Sequence, residues 1–436
     1  MRLFPKRAEA LVRKAAANLS LLRRDPEAFA RNLTQFTHPA LFEQRLVNIL
    51  HPTPMHVRLA ADAPRGPRLN VLDAAWSRAG MTGGPNTVIN LACRVAQQGL
   101  PVRLVSTVAD IAIDPDWFRR HAASLLAQPD APDIPILSAG RAEAPLPLGP
   151  GDMFLATHWT TAQQLKSVLP QMPVQQFFYM LQEFEPAFYP WSSNFALAIE
   201  TFGMDFWPIV NESCLAEYLF SQPIGRLNDP VMRERALVFE PAVDAALFHP
   251  DAAPHPRRLL FYARPTNTRN LFGLGLTALR EAAADPAFAG WEFVAIGGQA
   301  SLSDLPLGGG KVLRVAPWAD YAGYGRLLRE ADVLLCPMLS PHTSYPVLEM
   351  AASGGLVVTN TFATKTGPVL RAMSDNILAV PPTIAGFRDG VVQAARLAND
   401  GTTRPASLRL PRDWADALDP VARRVAAIAG KLASAG

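Results

Sequence analysis

The sequence predicts an α/β protein made of two doubly wound domains in tandem, preceded by a helical extension. Three observations lead there. Short apolar runs alternate with helix-length stretches in two separate series, one from residue 69 and one after residue 250. Such β-α alternation builds a parallel sheet with helices on both faces. Between the series lies a proline-bounded crossing, Phe239-Glu240-Pro241-Ala242-Val243-Asp244 followed by Phe248-His249-Pro250. Finally, 436 residues with 49% apolar content are enough to fill two cores of ordinary size.

Residues 1–50 read as the helical extension. Leu3, Ala10, Leu11, Ala15, Leu19 and Leu22 fall on related faces, surrounded by Arg2, Lys6, Arg7, Arg13, Lys14, Arg23 and Arg24. A basic amphipathic helix suits peripheral contact with an anionic membrane surface, and equally a helix packed on its own domain with a solvated basic face.

Residues 51–240 form the first domain. Its strands are expected over 69–72, 102–105, 153–156 and 177–181, with helices over 85–98, 162–168 and 195–202. Residues 241–420 form the second, with strands over 259–262, 292–296, 312–315, 333–336, 356–358 and 377–380. Helices are expected there over 271–284, 321–330, 346–352 and 384–398. Residues 421–436 read as a C-terminal helix free to pack back on the first domain. Two such domains facing each other bring the crevices at their strand ends to one cleft, which suits a reaction between two substrates.

Composition narrows the function classes. A net charge of +3 argues against a dedicated nucleic-acid binder. Cys93, Cys214 and Cys336 are scattered in apolar runs without metal-type spacing, which fits small buried hydrophobes in a reduced, cytoplasmic compartment. No stretch reaches the roughly 18 to 20 apolar residues needed to cross a bilayer, and the basic N-terminus lacks an apolar signal core.

Ser340 to Gly355, Ser-Pro-His-Thr-Ser-Tyr-Pro-Val-Leu-Glu-Met-Ala-Ala-Ser-Gly-Gly, carries the most chemistry. It follows a buried strand and opens a helix, with Pro346 at a position where its missing N–H costs nothing. Free N–H groups at that helix start, with the hydroxyls of Thr343 and Ser344, are expected to receive a phosphate. Glu349, one turn in, can accept from two vicinal hydroxyls, as on a nucleotide ribose, or it can simply complement the helix dipole. Upstream, Arg264 and Arg269 lie five apart just after a strand, and the planar guanidinium fork suits phosphate oxygens.

Other groups sit where α/β sites gather, at strand ends. Glu183 and Glu185, in Gln182-Glu183-Phe184-Glu185-Pro186, are candidates to orient or deprotonate an acceptor hydroxyl. His158 occupies a similar place after its strand and reads either as a functional group or as a capped structural residue. Phe184, Phe188, Tyr189 and Trp191 form an aromatic cluster that reads as core or as a sugar or lipid platform. Gly273-Leu274-Gly275-Leu276-Thr277-Ala278 mimics a dinucleotide fingerprint, but its glycines fall inside a helical stretch rather than in the strand–helix turn. No Asp-x-Asp pair is present, so no metal ion is expected.

Tyr345 to Gly355 resembles the donor-site signature of retaining GT-B glycosyltransferases of the family 4 type. The resemblance implies two Rossmann-like domains, ribose binding by Glu349 and neutralisation of a donor pyrophosphate by Arg264 and Arg269. It also implies a donor site that includes Thr343, Ser344 and Tyr345, with Lys365 a candidate phosphate or sugar contact. Gly83 and Gly84 match the place where such enzymes bring backbone to the cleft. The family often carries a second glutamate eight residues before the first; here that position is Pro341, flanked by Ser340 and His342, which points to a deoxysugar donor or to a contact made by His342 or main chain. Four stretches resemble the WsaF-like bacterial rhamnosyltransferases more specifically: Phe261 to Asn270, Leu181 to Pro190, Ser340 to Gly355 and Val358 to Thr366. That resemblance implies a dTDP-L-rhamnose donor and a glycan or lipid-linked glycan acceptor. No resident cofactor is expected, the cysteines fit a cytoplasmic compartment, and the basic N-terminal helix suits either peripheral contact with the inner face of the plasma membrane or packing on its own domain; a homodimer is compatible with these readings. A sugar-nucleotide-binding or epimerase-type protein, or a non-catalytic scaffold of the same fold, are the alternatives at this stage.

Overall fold

The computed structural model describes residues 54–436, apart from 61, 79, 80, 82, 109–112, 141–143, 252, 254, 298–301, 318, 402–406 and 436. The helical extension expected over residues 1–50 lies outside the described residues. Residues 54–436 form one compact unit that contains two seven-stranded sheets.

In spatial order the first sheet runs Ile136–Ser138, Val102–Ser106, Arg68–Asp73, Asp152–Ala156, Phe177–Leu181, Phe206–Asn211 and Leu237–Phe239, all parallel. The second runs Leu305–Gly308, Lys311–Val315, Glu292–Ile296, Arg258–Tyr262, Val333–Leu335, Leu356–Asn360 and Ile377–Val380, parallel except for its first, edge strand. In both, the chain starts in the middle, winds outward to one side, then returns and winds to the other. This is the doubly wound, Rossmann-like order. A small parallel pair, Val57–Leu59 with Leu146–Leu148, stands apart.

Alternation along each strand divides the cores. In the first sheet, Leu69, Val71, Met153, Leu155, Phe178 and Met180 face the helix Gly83–Gln97, while Leu72, Phe154, Ala156, Phe177, Tyr179 and Leu181 face the opposite layer. In the second, Leu259, Phe261, Val333 and Leu335 pack on the helices Phe272–Ala282 and Ile384–Asn399; Leu260, Leu334 and Val357 pack on Tyr345–Ala352. Both faces of each sheet are covered, which is why the strands read as continuous apolar runs.

Several elements were absent from the sequence reading, among them the edge strands Ile136–Ser138, Leu237–Phe239 and Leu305–Gly308 and the helices Pro115–Leu126, Ser213–Ser221 and Gly367–Met373; two further differences bear on the site and the core. The strand Phe206–Asn211 was not expected, because Pro208 interrupts its pattern and removes a ladder donor; the strand nevertheless pairs on both sides. The C-terminal helix spans Trp414–Ala435 rather than starting at 421, and it runs through Pro420. It lies on the helix Gly83–Gln97, where Leu418, Val421, Ala422, Val425 and Ile428 join the first domain's core. Arg94, nearly fully buried, reaches Asp419 at 2.5 Å.

At the amino end of the first sheet, the buried Asp152 carboxylate accepts from Arg68 Nε and Nη2, both at 2.7 Å, from Asn70 at 3.0 Å and from the Gly149 N–H at 2.7 Å. Arg103 stands 3.5 Å away. Among the described residues, no helix is long and apolar enough to cross a membrane.

Candidate functional site

In each sheet the winding reverses between two neighbouring strands, where the outgoing loops diverge and leave a crevice at the carboxyl ends. These strands are Arg68–Asp73 and Asp152–Ala156 in the first domain, Arg258–Tyr262 and Val333–Leu335 in the second. The residues singled out from the sequence lie on the loops that leave these strands and their neighbours. Those loops interlock across the two domains.

Glu349 sits in the helix Tyr345–Ala352 and is 6% exposed. Its Oε1 accepts from the Tyr321 hydroxyl at 3.1 Å and its Oε2 from Tyr324 at 2.9 Å. The two rings stack on each other, and each meets Phe248 edge-on. Among the described residues no cation pairs with this carboxylate. Burial therefore dominates and pushes its carboxyl up from 4.5 to about 7, against the tyrosine hydrogen bonds. A buried carboxylate answered only by neutral hydroxyls is well placed to accept from further hydroxyls.

Arg264 is half-buried; its Nη1 reaches the Tyr262 hydroxyl at 3.5 Å, and its charge lies over that ring at 6.0 Å. Arg269, expected at the pyrophosphate, faces protein groups in this structure. Its Nε stands 3.3 Å from Glu183 Oε2, and its guanidinium lies 4.4 Å above the Phe188 ring. Arg269 thus answers a carboxylate of the first domain, and Arg264 is the arginine of the pair without a carboxylate partner among the described residues.

Four residues expected at the donor have protein partners in this structure. The Thr343 N–H and hydroxyl, expected to receive a phosphate, both donate to Glu212 Oε1, at 2.6 and 2.7 Å. The Ser344 N–H donates to His342 Nδ1 at 3.0 Å. Lys365, expected at the phosphate or sugar, is fully buried beneath the loop, and its Nζ donates to the carbonyls of Met338 at 2.7 Å and His342 at 3.4 Å. Burial lowers its ammonium to about 8. Tyr345 points into the first domain, where its hydroxyl accepts from Asn211 at 2.7 Å and meets Thr87 at 3.2 Å. It thereby bonds the two domains together. Tyr345→Phe is accordingly expected to lower stability by about 1–2 kcal/mol in urea denaturation, with nucleotide affinity unchanged; the reverse pattern would return Tyr345 to the donor contacts.

The first-domain candidates do come together. Glu183 Oε1 accepts from the Phe184 N–H at 3.0 Å and from the Ser340 hydroxyl of the second domain. Glu185 Oε2 accepts from the Trp159 N–H at 2.6 Å and lies 3.9 Å from His158 Nε2. Burial first, then the neighbouring Glu183 and Asp73 carboxylates, push Glu185 up to about 8. His158 caps the helix Trp159–Leu165 through its ring and backbone, and burial lowers its imidazole to about 4. Of the glycines, Gly84 is the constrained one: its carbonyl accepts from Gln182 at 3.2 Å, and a Cβ there would meet the same amide nitrogen at 3.3 Å, whereas a Cβ on Gly83 would find only the Tyr345 ring at 4.0 Å. The aromatic cluster divides: Phe184 stacks on Phe202 in the core, Tyr189 bonds Trp159, and Trp191 is 95% exposed.

Sequence reasoning missed Asp73, Tyr321, Tyr324 and Glu212. Asp73 ends a central strand, a position that could have been noticed. Glu212 follows the strand that Pro208 disguised. Among the described residues, no group of three or more His, Cys, Asp or Glu could hold a metal ion.

Two family models match the chain, "WsaF, N-terminal domain" over residues 68–210 and "WsaF, C-terminal domain" over residues 257–391. A curated relative, the O-antigen biosynthesis protein RfbC of Myxococcus xanthus, is 34% identical over 285 residues, covering 62% of this chain and 20% of that protein. The chain therefore spans about a fifth of that relative's length. Among solved structures, sucrose-phosphate synthase from Thermosynechococcus elongatus aligns with a TM-score of 0.54 at 12% identity, covering 85% of this chain and 100% of the other. WaaG, described as a glycosyltransferase involved in lipopolysaccharide biosynthesis, aligns at 0.51 and 13% identity, covering 83% and 99%. At these identities the structural matches establish the fold alone.

Proposed function

The chain belongs to the WsaF-type family of GT-B glycosyltransferases, and on that premise we propose that it transfers L-rhamnose from dTDP-L-rhamnose to a glycan acceptor during assembly of a bacterial surface polysaccharide. The observation that carries this reading is Glu349: a buried carboxylate that, among the described residues, has hydroxyl partners only, one turn into the helix that follows a central strand of the second sheet. A ribose offers two vicinal hydroxyls to such a group. Arg264, on the loop after the neighbouring central strand, stabilises the departing nucleoside diphosphate by charge. Resemblance to retaining enzymes implies that the anomeric configuration is kept. The deoxysugar is supported by Pro341, which leaves the donor loop without its own carboxylate; Glu183, held beside that position through Ser340, supplies a carboxylate there from the first domain. Glu185 and His158 stand on the acceptor side, and the nucleotide donor is met on the cytoplasmic face of the membrane.

The test is calorimetric titration with dTDP and with other nucleoside diphosphates, followed by transfer assays with dTDP-L-rhamnose. Preferential dTDP binding and rhamnosyl transfer are expected; tighter binding of UDP or ADP would overturn the donor assignment. Nucleotide binding with hydrolysis or epimerisation and no transfer would favour a sugar-nucleotide-binding protein instead. In Arg264→Ala, kcat is expected to fall about 100-fold with the melting temperature little changed, and an unchanged transfer rate would remove Arg264 from the site.

A further inference from the structure

The turn that opens the Glu349 helix is shaped by a carboxylate from the opposite domain. Glu212 directly follows the strand Phe206–Asn211, is fully buried, and holds φ 79°, a backbone conformation that residues other than glycine rarely adopt. It occupies the N-cap position of the helix Ser213–Ser221 without capping it; Glu240 accepts from the Ser213 N–H at 3.1 Å in its place. The Glu212 side chain turns instead to the second domain, where Oε1 takes both the N–H and the hydroxyl of Thr343. Its Oε2 has no hydrogen-bond partner among the described residues and lies 4.0 Å from His342 Nε2. His342 Nδ1 accepts from Ser344 N–H, which places the neutral ring's proton on Nε2, facing Glu212. Ser344, at φ 85°, is a second backbone position held away from its preferred region, immediately before the helix. Lys365 holds the same turn from below through two carbonyls.

We propose that Glu212 is a positioning residue of the donor site: its carboxylate, delivered from the first domain, holds the Thr343–Ser344 turn in the shape that presents Glu349 and its helix to the nucleotide. The donor site is then complete only when the two domains are together. This rests on the donor-site reading of Glu349 given above.

The test uses the full chain and dTDP, with UDP in parallel. Glu212→Asp keeps the charge but shortens the reach, so it removes the Thr343 contact without stranding Lys365 beside a neutral site. It is expected to weaken dTDP binding about tenfold, with cooperative melting close to wild type. Glu212→Gln keeps reach and an acceptor oxygen, and is expected to bind within about threefold of wild type. Amide exchange of residues 340–345, measured without nucleotide, should quicken in the Asp variant and not in the Gln variant. If the Asp variant binds and exchanges as wild type, the proposal is overturned. Equal losses in Asp and Gln overturn it too, because reach would then not be what matters. Glu349→Gln is the control for the underlying reading. Wild type that binds neither nucleotide overturns the donor-site reading and the proposal with it, whereas binding that Glu349→Gln abolishes and Glu212→Asp leaves intact overturns only the proposal.

Discussion

Glu349→Gln is expected to lose about 100-fold in donor affinity and, at the same time, to yield a more stable protein above pH 7. The affinity loss follows from replacing a charged acceptor that serves two ribose hydroxyls; hydrogen bonds to charged groups contribute about 1.5–3 kcal/mol each. The stability gain follows from burial. A carboxyl moved from 4.5 to about 7 in the fold favours the folded state only while protonated. Its contribution is therefore fully present below 4.5, is lost as the pH rises towards 7, and leaves the ionised fold about 3 kcal/mol less stable than an unshifted group would. Glutamine removes that cost while preserving shape and partners for the tyrosine hydroxyls. Denaturation midpoints at pH 5 and pH 8 test the point: wild type and variant should differ at pH 8 and converge at pH 5. Wild-type dTDP affinity should also weaken as the pH falls below 7, since the neutral carboxyl accepts less well. A variant that binds dTDP normally, or that is destabilised at pH 8, would contradict the assignment of Glu349 as a buried acceptor kept for its ligand.

Asp152→Ala is expected to cost about 4 kcal/mol of folding stability while leaving nucleotide affinity intact wherever the protein remains folded. The carboxylate is 1% exposed and is the common partner of Arg68, Asn70 and the Gly149 N–H. Arg103, itself 5% exposed and already lowered to about 10 by burial, would be left without its counter-charge. Removing one member of such a group is far more damaging than the group is stabilising, because an uncompensated charge stays behind in the interior. Asp152 lies at the amino end of its strand, whereas the crevice lies at the carboxyl end. Guanidinium denaturation gives the stability and titration of the folded variant gives the affinity. A loss below about 1 kcal/mol would mean that solvent reaches the arginines freely.

The doubly wound architecture was legible because most of the inner strands announce themselves locally. Leu69 to Leu72, Phe177 to Leu181 and Leu356 to Val358 are apolar runs bounded by turn residues, and both faces of each sheet are covered. Phe206–Asn211 escaped because proline is ordinarily absent from central strands, and here the neighbouring strands hold it in register regardless. The same proline hid Glu212, since a residue is recognised as following a strand only once the strand is seen. The C-terminal helix escaped its true start for a related reason. Pro420 reads as a boundary, yet packing of Leu418 and Val421 on the first domain carries the helix through it.

By itself the sequence determined the two-domain plan, the helix that carries Glu349 and the arginine loop, all of which depend on residues close together along the chain. Only the tertiary structure decided what those residues touch. Glu212 and Thr343 are 131 positions apart, Glu183 and Ser340 157, and no local pattern links either pair. The Thr343 N–H and hydroxyl meet a carboxylate of the other domain, Lys365 reaches two carbonyls, and Tyr345 bonds across the domains, because a buried polar group must find a partner wherever the fold brings one. Helical and strand periodicity report which face is buried; they carry no information on which distant charge arrives to meet it.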